Sequence, residues 1–347
     1  MNNNRNLRKR RRSISNNRSN KRSKKEVYVN ELNKEHFEVN SIKDLIKLGL
    51  QHYDSPIFKK LFKLVVPLIK IDRLIGMDSI KNQLSKQIIY FVQDFHKYDN
   101  EGSMLHSVIY GPPGCGKTHV ASLIGEIYQG LGFISTNNIT LGKRTDFIAD
   151  YLGQTANKTK KFLEKATPGI LIIDEIYSLS SGVEDHDSYA KECIDTINQY
   201  LSENKKELLC IVIGYKDDVD KCFFALNKGL ERRFPFRYTI EEYKSDELTK
   251  IFKYQVNRNK WEVLEPSLTR LKDIIEMNKE LFKNFGGDTE NLFFHCKTAR
   301  SSRLFGQVFN KDKYIIELED INNGFIEFQK AKKETVKESK PPDGMYI

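Results

Sequence analysis

The eight residues Gly111-Pro-Pro-Gly-Cys-Gly-Lys-Thr118 constrain this chain more than any other stretch. They fit the pattern G-x-x-x-x-G-K-[ST]. The flanks fit as well: a short apolar run, residues 107–110, precedes the loop and a helical pattern, 117–130, follows it. Glycines let backbone N–H groups turn inward without Cβ clashes. The helix behind the loop points its positive end at the same place. Such a loop cradles phosphate oxygens. Gly111, Pro112, Pro113, Gly114, Cys115, Gly116, Lys117, Thr118 and the adjoining His119 are therefore the expected nucleotide-binding residues. Lys117 is expected to reach the β- and γ-phosphates, and Thr118 to ligate Mg2+.

A second element agrees with the first. Gly169-Ile-Leu-Ile-Ile-Asp174-Glu175 reads as a buried strand ending in two acids, about 55 residues after the loop. An acid at the C-terminal edge of a parallel strand faces the phosphate loop of its neighbour. Asp174 is placed to hold Mg2+ through water, and Glu175 to polarise an attacking water.

The chain around these motifs alternates. Strand patterns at 107–110, 132–135, 169–174, 208–215 and 234–240 are separated by helical patterns at 117–130, 156–166 and 188–204. That alternation predicts an α/β fold, a parallel sheet covered by helices on both faces. After residue 241 the pattern is mainly helical, at 246–257, 266–283 and 288–306. A short strand at 314–318 and a last helix from residue 320 follow. Residues 32–70 are weakly helical, and 79–98 read as an amphipathic helix. The expected organisation is a basic tail (1–25), a helical N-terminal segment (26–71), an α/β core (72–241), a small helical lid domain (242–331) and a flexible end (332–347).

Further residues resemble one family, the AAA+ ATPases, and within it the red-type Rubisco activases and their sporulation-protein relatives. The resemblance runs from about Leu74 to Phe305. It rests on Leu74-Ile-Gly-Met77, the phosphate loop, Tyr151-Leu-Gly-Gln-Thr155, Ile170 to Ser178, Ile211 to Asp217, and Asn227-Lys-Gly-Leu-Glu-Arg-Arg-Phe234. It implies a P-loop NTPase core with a helical lid, an ATP hydrolase using ATP and Mg2+, and self-assembly into a ring, a hexamer by family expectation. It also implies a protein client remodelled through a central pore. Residue by residue, Ile75 and Gly76 match the segment that packs against adenine. Tyr215 stands at the first sensor position. Arg233 matches the arginine finger that enters a neighbouring subunit's site, with Arg232 able to share the role. Tyr151, Leu152 and Gly153 match the pore loop, where an aromatic and an aliphatic side chain grip a polypeptide by packing. One position departs from the pattern: Glu290 stands near where the family carries a second-sensor arginine. Lys297 and Arg300, further along the same helix, are the candidate substitutes.

Charge adds a separate feature. The chain carries 57 Lys+Arg and 47 Asp+Glu, a net charge of +10. Residues 1–25 hold eleven basic side chains and no acid, which leaves the rest near neutrality at −1. The tail is compatible with a nuclear address, a nucleic-acid-binding arm, a tether or a solubilising extension. It keeps open an ATPase that acts on nucleic acid as a loader or translocase. The Glu290 departure keeps open a nucleotide-gated scaffold of weak turnover. No apolar run approaches the ~20 residues of a membrane span. Five scattered cysteines without a Cys-x-x-Cys pair, and histidines without ligand spacing, indicate neither zinc nor a disulfide framework. An intracellular setting, cytoplasmic or nuclear, is the resulting expectation.

Overall fold

The computed structural model describes residues 37–52, 55–98, 104–136, 138–151, 153–179, 188–205, 207–306 and 313–338. The basic tail, Leu152 and residues 339–347 lie outside it. In chain order the elements are helices α1 (Ile42–Gln51), α2 (Pro56–Asp72) and α3 (Asp78–Val92), then strand β1 (Ser107–Tyr110), α4 (Lys117–Leu131), β2 (Ile139–Gly142), α5 (Arg144–Phe147), α6 (Thr155–Ala166), β3 (Gly169–Ile173), α7 (Ser188–Glu203), β4 (Leu208–Gly214), the single turn α8 (Lys216–Val219) and β5 (Phe236–Thr239). The C-terminal part adds α9 (Ser245–Arg258), β6 (Glu262–Val263), α10 (Glu265–Met277), α11 (Gly286–Leu304), β7 (Ile315–Ile316) and α12 (Leu318–Glu338).

β1 to β5 form one sheet in the order β2-β3-β4-β1-β5, with every pairing parallel. Parallel strands covered on both faces read as continuous apolar runs, and β3 and β4 are buried at every residue. Successive side chains point to opposite faces. Ile170, Ile172, Ile211 and Ile213 therefore pack on one side with α1 to α4, while Leu171, Ile173, Cys210 and Val212 pack on the other with α6 and α7. The N-terminal helices share the sheet's own core. Leu61, Leu64 and Leu68 of α2 belong to the same cluster as Ile124 and Ile127 of α4. Lys70 pairs with Glu126 at 2.7 Å across that contact.

One expected strand is not a strand. Residues 132–135 end α4 instead: Gly132 is left-handed at φ +85°, its N–H returns to Gln129 O and Phe133 N–H to Tyr128 O. This is the glycine stop of a helix. Phe133 then packs edge-on against Phe91 and His96, with centroids at 4.8 and 4.9 Å. The sheet edge is taken by Ile139–Gly142, in register with Ile170–Ile173.

The C-terminal helices enclose a third core, with Leu248, Phe252, Leu271, Phe293 and Phe328 at its centre. β6 and β7 pair in parallel beside it. Arg300, only 2% exposed, meets Glu317 at 2.8 Å and Asp320 at 3.5 Å. At the other end of the helix pair, Lys332 of α12 meets the buried Asp288 of α11 at 2.5 Å. Removing Lys332 would leave the buried Asp288 carboxylate without its counter-charge. The last helix is therefore fastened to α11 at both ends, and it continues past residue 331 to Glu338.

Candidate active site

Three strand ends meet at one edge of the sheet. β1 leads into Gly111, β3 into Asp174, and β4 into Tyr215. Tyr110 lies beside Gly214 in the register, and Gly111 N–H donates to Gly214 O at 3.3 Å. A cavity of ≈ 260 Å³ opens above them. It gathers Lys117, Thr118, Asp174, Glu175 and Tyr215 around the loop residues Pro113, Gly114 and Gly116.

The loop needs its glycines for stated reasons. Gly114 and Gly116 are left-handed, at φ +69° and +86°. Gly116 is also the cap of α4, so the helix's free N–H groups open directly onto the cavity. Cys115 is buried, and burial pushes its thiol pKa up, which makes it a packing group. A Cβ on Gly114 would lie 2.0 Å from the Asn284 carbonyl oxygen in the C-terminal unit. Gly114→Ala is therefore expected to lower the unfolding midpoint by a few degrees and to weaken nucleotide binding. The left-handed backbone alone costs ~1–2 kcal/mol for a non-glycine residue. Thermal unfolding with and without ATP checks it, and an unchanged midpoint together with unchanged affinity would contradict the close docking of the C-terminal unit on the loop.

The acidic side is joined to the loop. Thr118 Oγ1 donates to Asp174 Oδ2 at 2.7 Å, and Glu175 N–H donates to Asp174 Oδ1 at 2.9 Å. Glu175 itself is left-handed at φ +52° and exposed. A non-glycine residue in that region stores of order 1–3 kcal/mol, a cost that clusters at functional positions. Lys117 Nζ donates to Gly111 O at 2.9 Å and Pro112 O at 2.7 Å, and lies 5.4 Å from the Tyr215 ring centroid. The hydroxyl of Thr118 and the carboxylate of Asp174 are adjacent hard oxygen donors, chemistry that suits Mg2+. Among the described residues no group of three or more His, Cys, Asp or Glu could hold a metal. A cation here would take its other ligands from phosphates and water, as Mg2+ does.

The remaining candidates fall into two groups. Some stand beside the loop. Ile75 is half-buried, and Gly76 is left-handed at φ +64° under the Glu247 carboxylate and Tyr243. Met77 Cε would lie 3.8 Å from a Cβ on Gly116. His119 is exposed on the first turn of α4. Others stand apart. Tyr151 is 71% exposed, and Gly153 is left-handed at φ +79° with open space around it. The segment before Tyr151 is firmly anchored. Arg144 of α5 donates to the carbonyls of Ser178 and Leu179, in the turn directly after Glu175, and Lys158 donates to Ile148 O at 2.8 Å.

Arg233 is at the other end of the sheet. Ser107 pairs with Phe236, so Arg233 precedes the start of β5 while Gly111 follows the end of β1. Four residues of strand separate the two by at least about 13 Å. Arg233 Nε donates to Ser202 Oγ at 2.8 Å and Nη1 to Gly229 O at 2.6 Å. Desolvation, and then the charge of Arg232, lower its pKa. Arg232 is exposed. Burial, with the Arg233 charge, pushes the nearby His106 down to about 3, so that imidazole is neutral.

Neither proposed substitute for the second-sensor arginine reaches the loop. Lys297 lies over the Phe293 ring at 4.7 Å, and Arg300 is held by Glu317 and Asp320. Glu290 is exposed and does not line the cavity. The C-terminal unit touches the loop through residues that sequence patterns do not mark: Gly286 N–H donates to Gly114 O at 3.2 Å, and the Tyr243 hydroxyl donates to Cys115 O at 3.0 Å. Those pairs are far apart in the chain, and no local signal announces them.

Known proteins resemble this chain. Residues 107–241 match the model of the ATPase family associated with various cellular activities (AAA). A cfxQ-like protein of Acanthamoeba polyphaga mimivirus is 41% identical over 77% of this chain and 65% of its own length. The stage V sporulation protein K of Bacillus subtilis is 30% identical over 73% of this chain and 81% of its own. The crystal structure of the FIGL-1 AAA domain superposes with a TM-score of 0.52 at 16% identity, over 77% of this chain and 88% of that one, which speaks to fold alone. No helix among the described residues is long and apolar enough to cross a membrane.

Proposed function

Because the chain belongs to the AAA ATPases, in the group of the cfxQ-like and stage V sporulation K proteins, we propose that it works as a ring of copies that hydrolyses ATP to pull on a protein client. The observation that carries this reading is the division of labour across the sheet. Lys117, Thr118, Asp174 and Glu175 surround one cavity at the C-terminal edge, while Arg232 and Arg233 stand at the N-terminal edge. A cation that far from its own phosphate loop finds its use in a neighbour's site, which requires a head-to-tail assembly. Six copies close such a ring in the family pattern.

The chemistry assigned to each residue follows from its place. The loop's N–H groups and Lys117 hold the β- and γ-phosphates. Mg2+, held by Thr118 and through water by Asp174, would neutralise charge between those phosphates. Glu175 orients and polarises the attacking water, and an arginine from the adjacent copy meets the charge that develops on the transferring phosphoryl group. The C-terminal helices serve as the lid.

Tyr151, Leu152 and Gly153 supply the grip in this reading. An exposed tyrosine on a glycine-hinged loop packs against any extended polypeptide. Arg144 ties the root of that loop to the turn after Glu175. Tyr151→Ala is expected to leave client-free ATP turnover near wild type and to abolish remodelling of a confirmed protein client. Intact remodelling by that variant would rule out threading through the pore.

A further inference from the structure

Two carbonyls of the phosphate loop are bonded from outside the cavity. Gly114 O accepts Gly286 N–H from the start of α11, and Cys115 O accepts the Tyr243 hydroxyl. Tyr243 sits in the connection between β5 and α9. Its ring packs edge-on against Phe285, with centroids 5.9 Å apart, and both rings wall a cleft of ≈ 410 Å³ that also touches Pro112. One edge of the ring, Cε1, would lie 3.4 Å from a Cβ on Gly76. One side chain therefore touches the loop, the segment beside it and the C-terminal unit. Burial raises the pKa of the phenol, so the hydroxyl stays protonated and remains a donor.

The consequence comes from peptide geometry. A peptide unit is planar and trans, so its C=O and N–H point in opposite directions. Holding the Cys115 carbonyl toward Tyr243 aims the N–H of Gly116 the other way, into the loop. Holding the Gly114 carbonyl toward Gly286 does the same for the N–H of Cys115. Glycines at 114 and 116 leave this backbone free to rotate unless something fixes it. We propose that Tyr243 is a positioning residue for phosphate binding: its hydroxyl pre-orients the Gly116 amide, and through Phe285 it makes that orientation depend on the docked C-terminal unit. The proposal rests on the reading of the loop as an ATP site.

Anion-binding amides set in advance strengthen ground state and transition state alike, because the phosphates they hold are present in both. Loss of the hydroxyl should therefore appear in KM and not in kcat. The test is Tyr243→Phe in the full chain, with ATP and ADP binding measured by calorimetry and turnover measured in parallel. Loss of one hydrogen bond predicts roughly three- to tenfold weaker binding of both nucleotides, a matching rise in KM, kcat near wild type, and an unliganded unfolding midpoint close to that of the wild type. Tyr243→Ala, which also removes the packing on Phe285, should lower that midpoint as well. Wild-type affinity in Tyr243→Phe, or a fall in kcat at unchanged KM, would overturn the proposal while leaving the ATP site intact. A wild-type chain that bound no ATP would overturn the reading beneath it and the proposal with it.

Discussion

Glu175→Gln is expected to reduce ATP hydrolysis by ~10²–10⁴-fold while leaving ATP bound, the range for loss of a positioned general base. The substitution keeps the side chain's size and its left-handed backbone position, and it removes only the charge that polarises water. The phosphate-holding parts are separate: Lys117, the loop glycines and the Thr118–Asp174 pair are untouched. Affinity measured by calorimetry should stay within a few-fold of wild type, and single-turnover phosphate release should show the loss. A variant that also failed to bind ATP would place Glu175 in the binding apparatus. A variant that turned over at the wild-type rate would remove it from the chemistry. Because Glu175→Gln holds ATP without consuming it, the same protein should retain its client, and the co-purifying material distinguishes polypeptide from nucleic acid.

The second large effect is expected from the arginine pair. An arginine supplied to transferring phosphoryl charge is worth ~10³–10⁵ in rate where it has been removed elsewhere. Arg233 is anchored by Ser202 and Gly229, whereas Arg232 is exposed beside it. Replacing both with alanine should abolish turnover, since it removes the exposed Arg232 charge and the anchored Arg233 charge together. ATP affinity should change little, because neither residue lines the cavity of its own chain. The single variants separate the two roles. Arg233→Ala loosens the segment before β5, and Arg232→Ala removes the more accessible charge.

Much of this site was legible in the sequence because its parts are local. A strand, a glycine loop and a helix stand consecutively in the chain, and so do a buried strand and its two terminal acids. Each announces itself within about ten residues. What the sequence hid lies between residues distant along the chain. Tyr243 bonds to a carbonyl 128 positions away, and neither residue carries a pattern that names the other. The apolar run at 132–135 is also ambiguous by nature. Four such residues suit a strand, but Gly132 ends α4 and Phe133 completes an aromatic cluster, so the edge strand forms a few residues later. Helical spacing puts Lys297 and Arg300 near the face expected to carry a lid cation. Tertiary packing claims both, one over an aromatic ring and the other between Glu317 and the buried Asp320.

In the proposed ring each site is completed by two copies, with Glu175 from one and the arginine pair from the next. Mixing tests it most directly. Glu175→Gln chains and Arg232→Ala/Arg233→Ala chains are each expected to be inactive alone. In a mixed assembly some interfaces join an intact Glu175 to an intact arginine pair. Equal mixing should therefore raise ATP turnover above the sum of the two parents, toward roughly a quarter of wild type, the share of such interfaces in a head-to-tail ring. A mixture that forms joint assemblies and stays at the sum of its inactive parents would contradict a site shared between copies.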